Sequence, residues 1–142
     1  MLINNLLELK NFCKNLSIEK NSILLLSGDL GSGKTTLVAS CLENLLDKKG
    51  PFTSPTFNII HVYFNKEKSL KIYHLDLYRL KSFEELLELG FQELLEEEAI
   101  IFIEWPDLAR KFFSSISKER IIELKLSIVE GDKRIIKRVL KD

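Results

Sequence analysis

The chain has 142 residues, which predicts one domain over residues 1–142 and leaves no room for a second of ordinary size. Its apolar content of 45% supports a packed core without disulfide or metal staples, and 21 Lys and Arg offset 21 Asp and Glu. A net charge of zero excludes a bulk electrostatic drive toward nucleic acid or an anionic membrane surface.

Leu2, Ile3, Leu6, Leu7, Leu9, Cys13 and Leu16 recur at three- and four-residue spacing and predict an amphipathic helix. Ile23 to Ser27 is a short apolar run, the pattern of a strand buried on both faces. Gly28 to Gly33 holds three of the six glycines, and Leu37, Val38, Cys41, Leu42 and Leu45 then resume helical spacing over Lys34–Leu46. Asp47–Thr56, with Pro51 and Pro55, reads as a loop. Phe57–Phe64 and Leu70–Leu77 are β-rich runs joined by Asn65–Ser69, a predicted hairpin. Ser82-x-x-Glu85 spells a capping box, and Gly90 ends the helix that follows. The acidic segment Phe91–Glu98 leads to Ala99–Glu104, a second buried-strand pattern, and Pro106–Phe113 predicts a short helix. Ile122, Leu124, Leu126 and Ile128 alternate, and a turn at Glu130–Asp132 returns the chain through Arg134–Leu140 as a C-terminal hairpin. These elements predict an α/β fold: a P-loop NTPase-like mixed sheet with flanking helices and a C-terminal β-hairpin.

Cys13 and Cys41 sit among apolar residues without a CxxC or Cys/His cluster, so they read as buried small hydrophobes in a reducing compartment. The longest apolar run, Ala99–Ile103, is far too short to span a bilayer, and no basic segment precedes Leu2 and Ile3. The expected location is cytoplasmic, with no membrane partner.

Gly28-Asp29-Leu30-Gly31-Ser32-Gly33-Lys34-Thr35 matches G-x-x-x-x-G-K-[ST] in full, between an apolar strand and an amphipathic helix. Glycines let successive backbone N–H groups turn inward on phosphate oxygens, and the following helix aims its free N–H groups at the same anion. Lys34 would supply a point charge to the β- and γ-phosphates and Thr35 a hydroxyl to Mg²⁺. The candidate nucleotide contacts are Asp29, Leu30, Gly31, Ser32, Gly33, Lys34, Thr35 and Thr36, with ATP or ADP and Mg²⁺ as ligands. A second acid is required for the metal. Glu104 ends Ala-Ile-Ile-Phe-Ile-Glu, and Asp76 ends a strand on which Ile72, His74 and Asp76 share a face; either is a candidate direct ligand. Asn65-Lys66-Glu67-Lys68 fails as a guanine motif because Lys68 is a donor where guanine needs a carboxylate. Trp105 is a candidate either to stack on adenine or to pack in the core.

Four segments occur in order: Gly28 to Leu37, Ser54-Pro55-Thr56-Phe57, His74-Leu75-Asp76-Leu77-Tyr78-Arg79-Leu80 and Ile103-Glu104-Trp105-Pro106. Together they resemble the bacterial TsaE (YjeE) family, ATPases of tRNA threonylcarbamoyladenosine biosynthesis, over nearly the whole chain. Ser32 stands where Ala is common, and Asp107 where Glu often follows Trp-Pro. The resemblance implies an ATPase, slow alone, that acts with TsaB and TsaD. That pair transfers threonylcarbamoyl to the adenosine next to the anticodon, and ATP hydrolysis resets the complex between rounds. Contact with tRNA is then indirect, through the complex, as the neutral net charge also suggests. The resemblance further implies a switch-I-like loop at Thr53–Thr56 and a switch-II-like segment at Asp76–Arg79. Lys34, Asp76 and Glu104 are the expected catalytic residues, and Thr35, Asp76 and Glu104 the expected metal contacts.

Two other readings compete with that one. A small-molecule kinase would carry an acceptor-binding insertion and an Arg-bearing lid, and no spare segment of that kind is visible. A nucleotide-gated binding module would associate with a partner in an ATP-dependent way without turnover.

Overall fold

A computed structural model of the chain describes residues 1–52 and 58–139. Among these, seven strands form one mixed sheet: β1 (Leu2–Ile3), β2 (Ile23–Ser27), β3 (Ile60–Asn65), β4 (Leu70–Asp76), β5 (Ile100–Glu104), β6 (Ile121–Glu130) and β7 (Lys133–Val139). Their spatial order is β1-β7-β6-β2-β5-β4-β3. The four central strands β6, β2, β5 and β4 run parallel, and antiparallel strands close both sides.

The central strands are parallel because helical connections cover both faces, and their composition reflects it. Ile23, Leu24, Leu25 and Leu26 are all fully buried, with alternate residues in two different cores. On one face Leu24 and Leu26 pack with Leu9 and Cys13 of α1 (Leu6–Asn15) and Leu37, Val38, Cys41 and Leu42 of α2 (Lys34–Leu46). On the other, Ile23 and Leu25 meet Leu86 of α3 (Phe83–Glu88), Phe91 and Leu94 of α4 (Phe91–Leu95), and Phe113 of a 3₁₀ helix over Pro106–Ser115. Each such side chain withdrawn from water contributes about 1.5–3 kcal/mol. Cys13 and Cys41 are buried free thiols, as expected from their surroundings.

The chain start departs from the sequence reading. Leu2 and Ile3 are not the first turn of α1 but an edge strand on β7, with Leu2 opposite Ile135. Asn5 has extended backbone, and its side chain accepts the Glu8 N–H, so the helix begins after it. The Met1 amino group then donates to Ile136 O at 2.7 Å. This leaves Leu6 and Leu7 exposed, and the buried stripe of α1 reduces to Leu9 and Cys13.

The first predicted hairpin forms, but β3 begins at Ile60 and includes Asn65, which pairs with Leu70. The Asn65 side chain donates to Leu45 O and accepts from Lys68 N, a structural use that further disfavours a guanine contact. Ser82 caps the helix as predicted, its Oγ accepting the Glu85 N–H. In the C-terminal hairpin a bulge lies between Ile128 and Glu130, and Ile128 is exposed. The expected switch-I-like loop, Thr53–Thr56, the start of its neighbouring strand at Phe57 and the strand end at Leu140 lie outside the described residues.

Candidate functional site

The carboxyl ends of β2, β4 and β5 fall at one edge of the sheet, where ligands of open α/β sheets bind. Register sets Asp76 opposite Glu104, and Leu26 opposite Glu104 on the other side. Two backbone bonds pin these ends: Trp105 N–H donates to Leu26 O and Leu77 N–H to Glu104 O, each at 3.1 Å.

The chain leaves β2 through Gly28, whose φ of 151° and surroundings allow no side chain. A Cβ there would lie 2.5 Å from Leu126 O and 2.6 Å from Ser32 Oγ. Gly33, at φ 103°, turns the loop into α2 in a conformation that only glycine adopts without strain. The cradle expected from the glycine pattern therefore rests on two backbone requirements that are visible in the fold.

Lys34 is 4% exposed, and its ammonium donates to Gly28 O at 2.6 Å and Asp29 O at 3.0 Å. Trp105 covers it, with Nζ 4.1 Å from the ring centroid, and Tyr78 packs on Trp105 at 4.8 Å. Trp105 holds φ 57°, an uncommon conformation for a bulky residue, so the backbone is strained where the indole covers Lys34. Burial pushes the Lys34 ammonium below the ordinary lysine range, and Glu104, Asp76 and Asp29 pull it back.

Glu104 is 2% exposed, and its carboxylate is met by two groups. Thr35 Oγ1 donates to Oε1 at 2.9 Å and Oε2 at 3.1 Å, and His74 Nε2 lies 2.5 Å from Oε2. Asp76 is held differently, its Oδ1 accepting the Tyr78 N–H at 3.0 Å. Burial raises the Asp76 carboxyl above the usual range; the Tyr78 bond works against this and Glu104 adds to it.

These residues line one cavity of about 230 Å³, formed by Leu30, Gly31, Gly33, Lys34, Thr35, Thr36, Asp76, Glu104 and Trp105. The expected nucleotide and metal residues are thus brought together, apart from Asp29 and Ser32, which do not line this cavity. Asp29 presents its carbonyl to Lys34, Ser32 is fully buried beneath the loop, and Trp105 stands at the Lys34 end beside both acids. A second cavity, about 350 Å³, adjoins the first through Gly33 and Thr36, which line both. Its remaining walls come from Ile3 to Leu6, Leu126, Asp132 and Arg134, among others. Reading the N-terminus as continuous helix concealed this cavity. The Asn5-x-x-Glu8 capping pattern was the available signal.

Among the described residues no three or more His, Cys, Asp or Glu form a metal cluster. The donors at hand are one hydroxyl and two carboxylates beside a backbone cradle. That set suits a hard divalent cation held largely by water and phosphate oxygens. Also among the described residues, no helix is long and apolar enough to cross a membrane.

Asp76 yields a stability prediction. Its carboxyl binds a proton more tightly in the folded chain than in the unfolded one. Its contribution to folding is therefore greatest below the unfolded-state value and is lost as pH rises through the folded-state value. Asp76→Asn keeps an oxygen for Tyr78 and removes the buried charge. It should raise the melting temperature by about 2 °C at pH 7, a small gain because the group is only partly buried. The difference should shrink as pH falls and vanish below about pH 3, where the carboxyl is largely protonated in the folded and the unfolded chain alike. Thermal melts across this range check it, and a lower melting point at pH 7 contradicts it.

The family model described as "Threonylcarbamoyl adenosine biosynthesis protein TsaE" matches residues 3–136. A tRNA threonylcarbamoyladenosine biosynthesis protein TsaE from Rickettsia typhi is 38% identical over 135 residues, covering 94% of this chain and 89% of that protein. The protein of the same name from Borreliella burgdorferi is 42% identical over 128 residues, covering 89% and 86%. The crystal structure of Bacillus subtilis YdiB superposes with a TM-score of 0.67 at 24% identity, covering 97% of this chain and 82% of that one, a likeness of fold.

Proposed function

The chain belongs to the TsaE family of threonylcarbamoyl adenosine biosynthesis proteins, and on that basis we propose that it is a Mg²⁺-dependent ATPase acting with TsaB and TsaD. One observation carries the reading: Lys34, Thr35, Asp76 and Glu104, drawn from three separate segments, face one cavity at the sheet's carboxyl edge. Phosphoryl transfer to water needs little covalent help from protein. It needs a held phosphate chain, compensation of developing charge and an oriented water.

Each need has a matching group. The Gly28–Gly33 backbone and the free N–H groups of α2 would hold the phosphates, and Lys34 would exchange its carbonyl partners for phosphate oxygens. Mg²⁺ would supply neutralisation of the charge that develops on the phosphates. Thr35 and one of the two acids would ligate it, and the other acid would orient water. Glu104 is better placed to work with Thr35, since the two are already hydrogen bonded. Trp105 and Tyr78 would cover the γ-phosphate end, screening it from bulk solvent.

The nucleoside would then occupy the second cavity, reached past Gly33 and Thr36. Leu6 is an informative position because it is half-exposed, lines that cavity and opens α1, where an acidic side chain is favourable to the helix. Leu6→Glu should weaken ATP about tenfold and leave inorganic triphosphate affinity unchanged. Equal loss for both ligands would contradict this seat for the base.

Release of inorganic phosphate from ATP, by the chain alone and with TsaB and TsaD, tests the proposal as a whole. Action with those two proteins predicts slow release alone and marked stimulation in their presence. The expected contact with tRNA is indirect, through the complex.

A further inference from the structure

We infer that His74 is a positioning residue that fixes the Glu104 carboxylate for metal binding and turnover. The inference rests on the ATPase reading above and adds to it a group outside the G-x-x-x-x-G-K-[ST] motif and the two strand-end acids.

His74 lies in the middle of β4, paired with Phe102, and is 2% exposed. Two residues on, Asp76 ends the strand with its side chain on the same face. The imidazole reaches sideways across the sheet to Glu104 Oε2, two residues beyond its own partner on β5. At 2.5 Å and with both side chains about 3% exposed, this is a short, water-excluded contact to a single oxygen. The other contact to Glu104 is of a different kind. Thr35 Oγ1 has one proton, which it divides between Oε1 at 2.9 Å and Oε2 at 3.1 Å. A divided bond from a hydroxyl orients a carboxylate weakly. Moreover Thr35 is itself the hydroxyl assigned to Mg²⁺, so its service to Glu104 changes when metal arrives. His74 is carried on a central strand and has no such second duty. It holds Oε2 and leaves Oε1 as the oxygen free of the imidazole.

Partners that orient ligand groups from behind typically govern metal affinity or activity by about 10- to 100-fold. A buried histidine that only fills the sheet face would show neither effect. The test uses the full chain with His74→Phe, which keeps a ring and removes the donor, and His74→Gln, whose side-chain amide can still donate. Four readouts are taken: nucleotide affinity without Mg²⁺, the Mg²⁺ concentration that half-saturates the ADP complex, kcat and KM for ATP, and the downfield imidazole N–H resonance.

The expected results are as follows. His74→Phe binds Mg²⁺-free nucleotide like the wild type, requires about tenfold more Mg²⁺ and loses about 10- to 100-fold in kcat with little change in KM. His74→Gln recovers most of both losses. The N–H resonance of the wild type shifts in Glu104→Gln. Wild-type Mg²⁺ dependence in His74→Phe overturns the inference, as do equal losses in the Phe and Gln variants. Absence of ATP turnover in the wild type would instead sink the ATPase reading, and the Mg²⁺ titration would still decide the role of His74.

Discussion

Lys34→Ala is expected to raise the ATP dissociation constant at least about a hundredfold, which corresponds to roughly 2.7 kcal/mol. The cause is specific to this pocket. The ammonium is 4% exposed and is held by two loop carbonyls, so it is already desolvated and aimed across the cradle. An anion there finds a cation that has little hydration left to lose, in surroundings where Coulomb attraction is poorly screened. Removing the cation leaves the phosphates beside Asp76 and Glu104, which line the same cavity, without the protein's own counter-charge. The fold should tolerate the change, because burial works against the Lys34 charge in the first place. Isothermal titration with ATP and Mg²⁺ measures the effect, with a thermal melt as the control for folding. A dissociation constant within threefold of wild type, in a folded variant, would contradict the role given to Lys34.

Glu104 should separate binding from turnover. Glu104→Gln keeps the side-chain shape, an oxygen for Thr35 and a polar group beside His74, while removing the charge. ATP affinity should stay within about threefold and phosphate release should fall about a hundredfold or more, the usual scale for a group that orients or deprotonates the attacking species. The alanine variant is the less informative one. It would strand the His74 imidazole in a 2% exposed position, and leaving a buried polar group without its partner costs about 1–3 kcal/mol. A loss of activity in Glu104→Ala could thus come from unfolding, whereas a folded Glu104→Gln with normal turnover would remove Glu104 from the mechanism.

The parts of the site that could be read from sequence are those whose signal is local. Gly28 to Thr35 announces itself because a phosphate cradle needs glycines and Lys-Thr at fixed offsets, and Asp76 and Glu104 stand at the ends of apolar runs. What was missed depends on pairings between distant segments. Leu2 and Ile3 continue the helical spacing of Leu6 and Leu9, yet β7, more than 130 residues away in sequence, supplies the edge that makes them a strand. The second cavity went unseen for the same reason, since its walls come from residues between Ile3 and Leu9, the glycine loop with the start of α2, and the C-terminal hairpin. His74 could be placed on the face of Asp76 by alternation. Its bond to Glu104 needed the parallel register of β4 on β5, which no local pattern encodes. Trp105 shows the converse limit. Its neighbourhood to Glu104 was plain, but the left-handed backbone that lays the indole over Lys34 was not.

Partner-dependent ATP hydrolysis is read out by phosphate release from ATP with Mg²⁺, measured for the purified chain alone and with TsaB and TsaD added, beside Lys34→Ala. Slow release alone and marked stimulation by the pair are expected, and neither in the variant. Release that is absent under both conditions, or unchanged in Lys34→Ala, would contradict that reading.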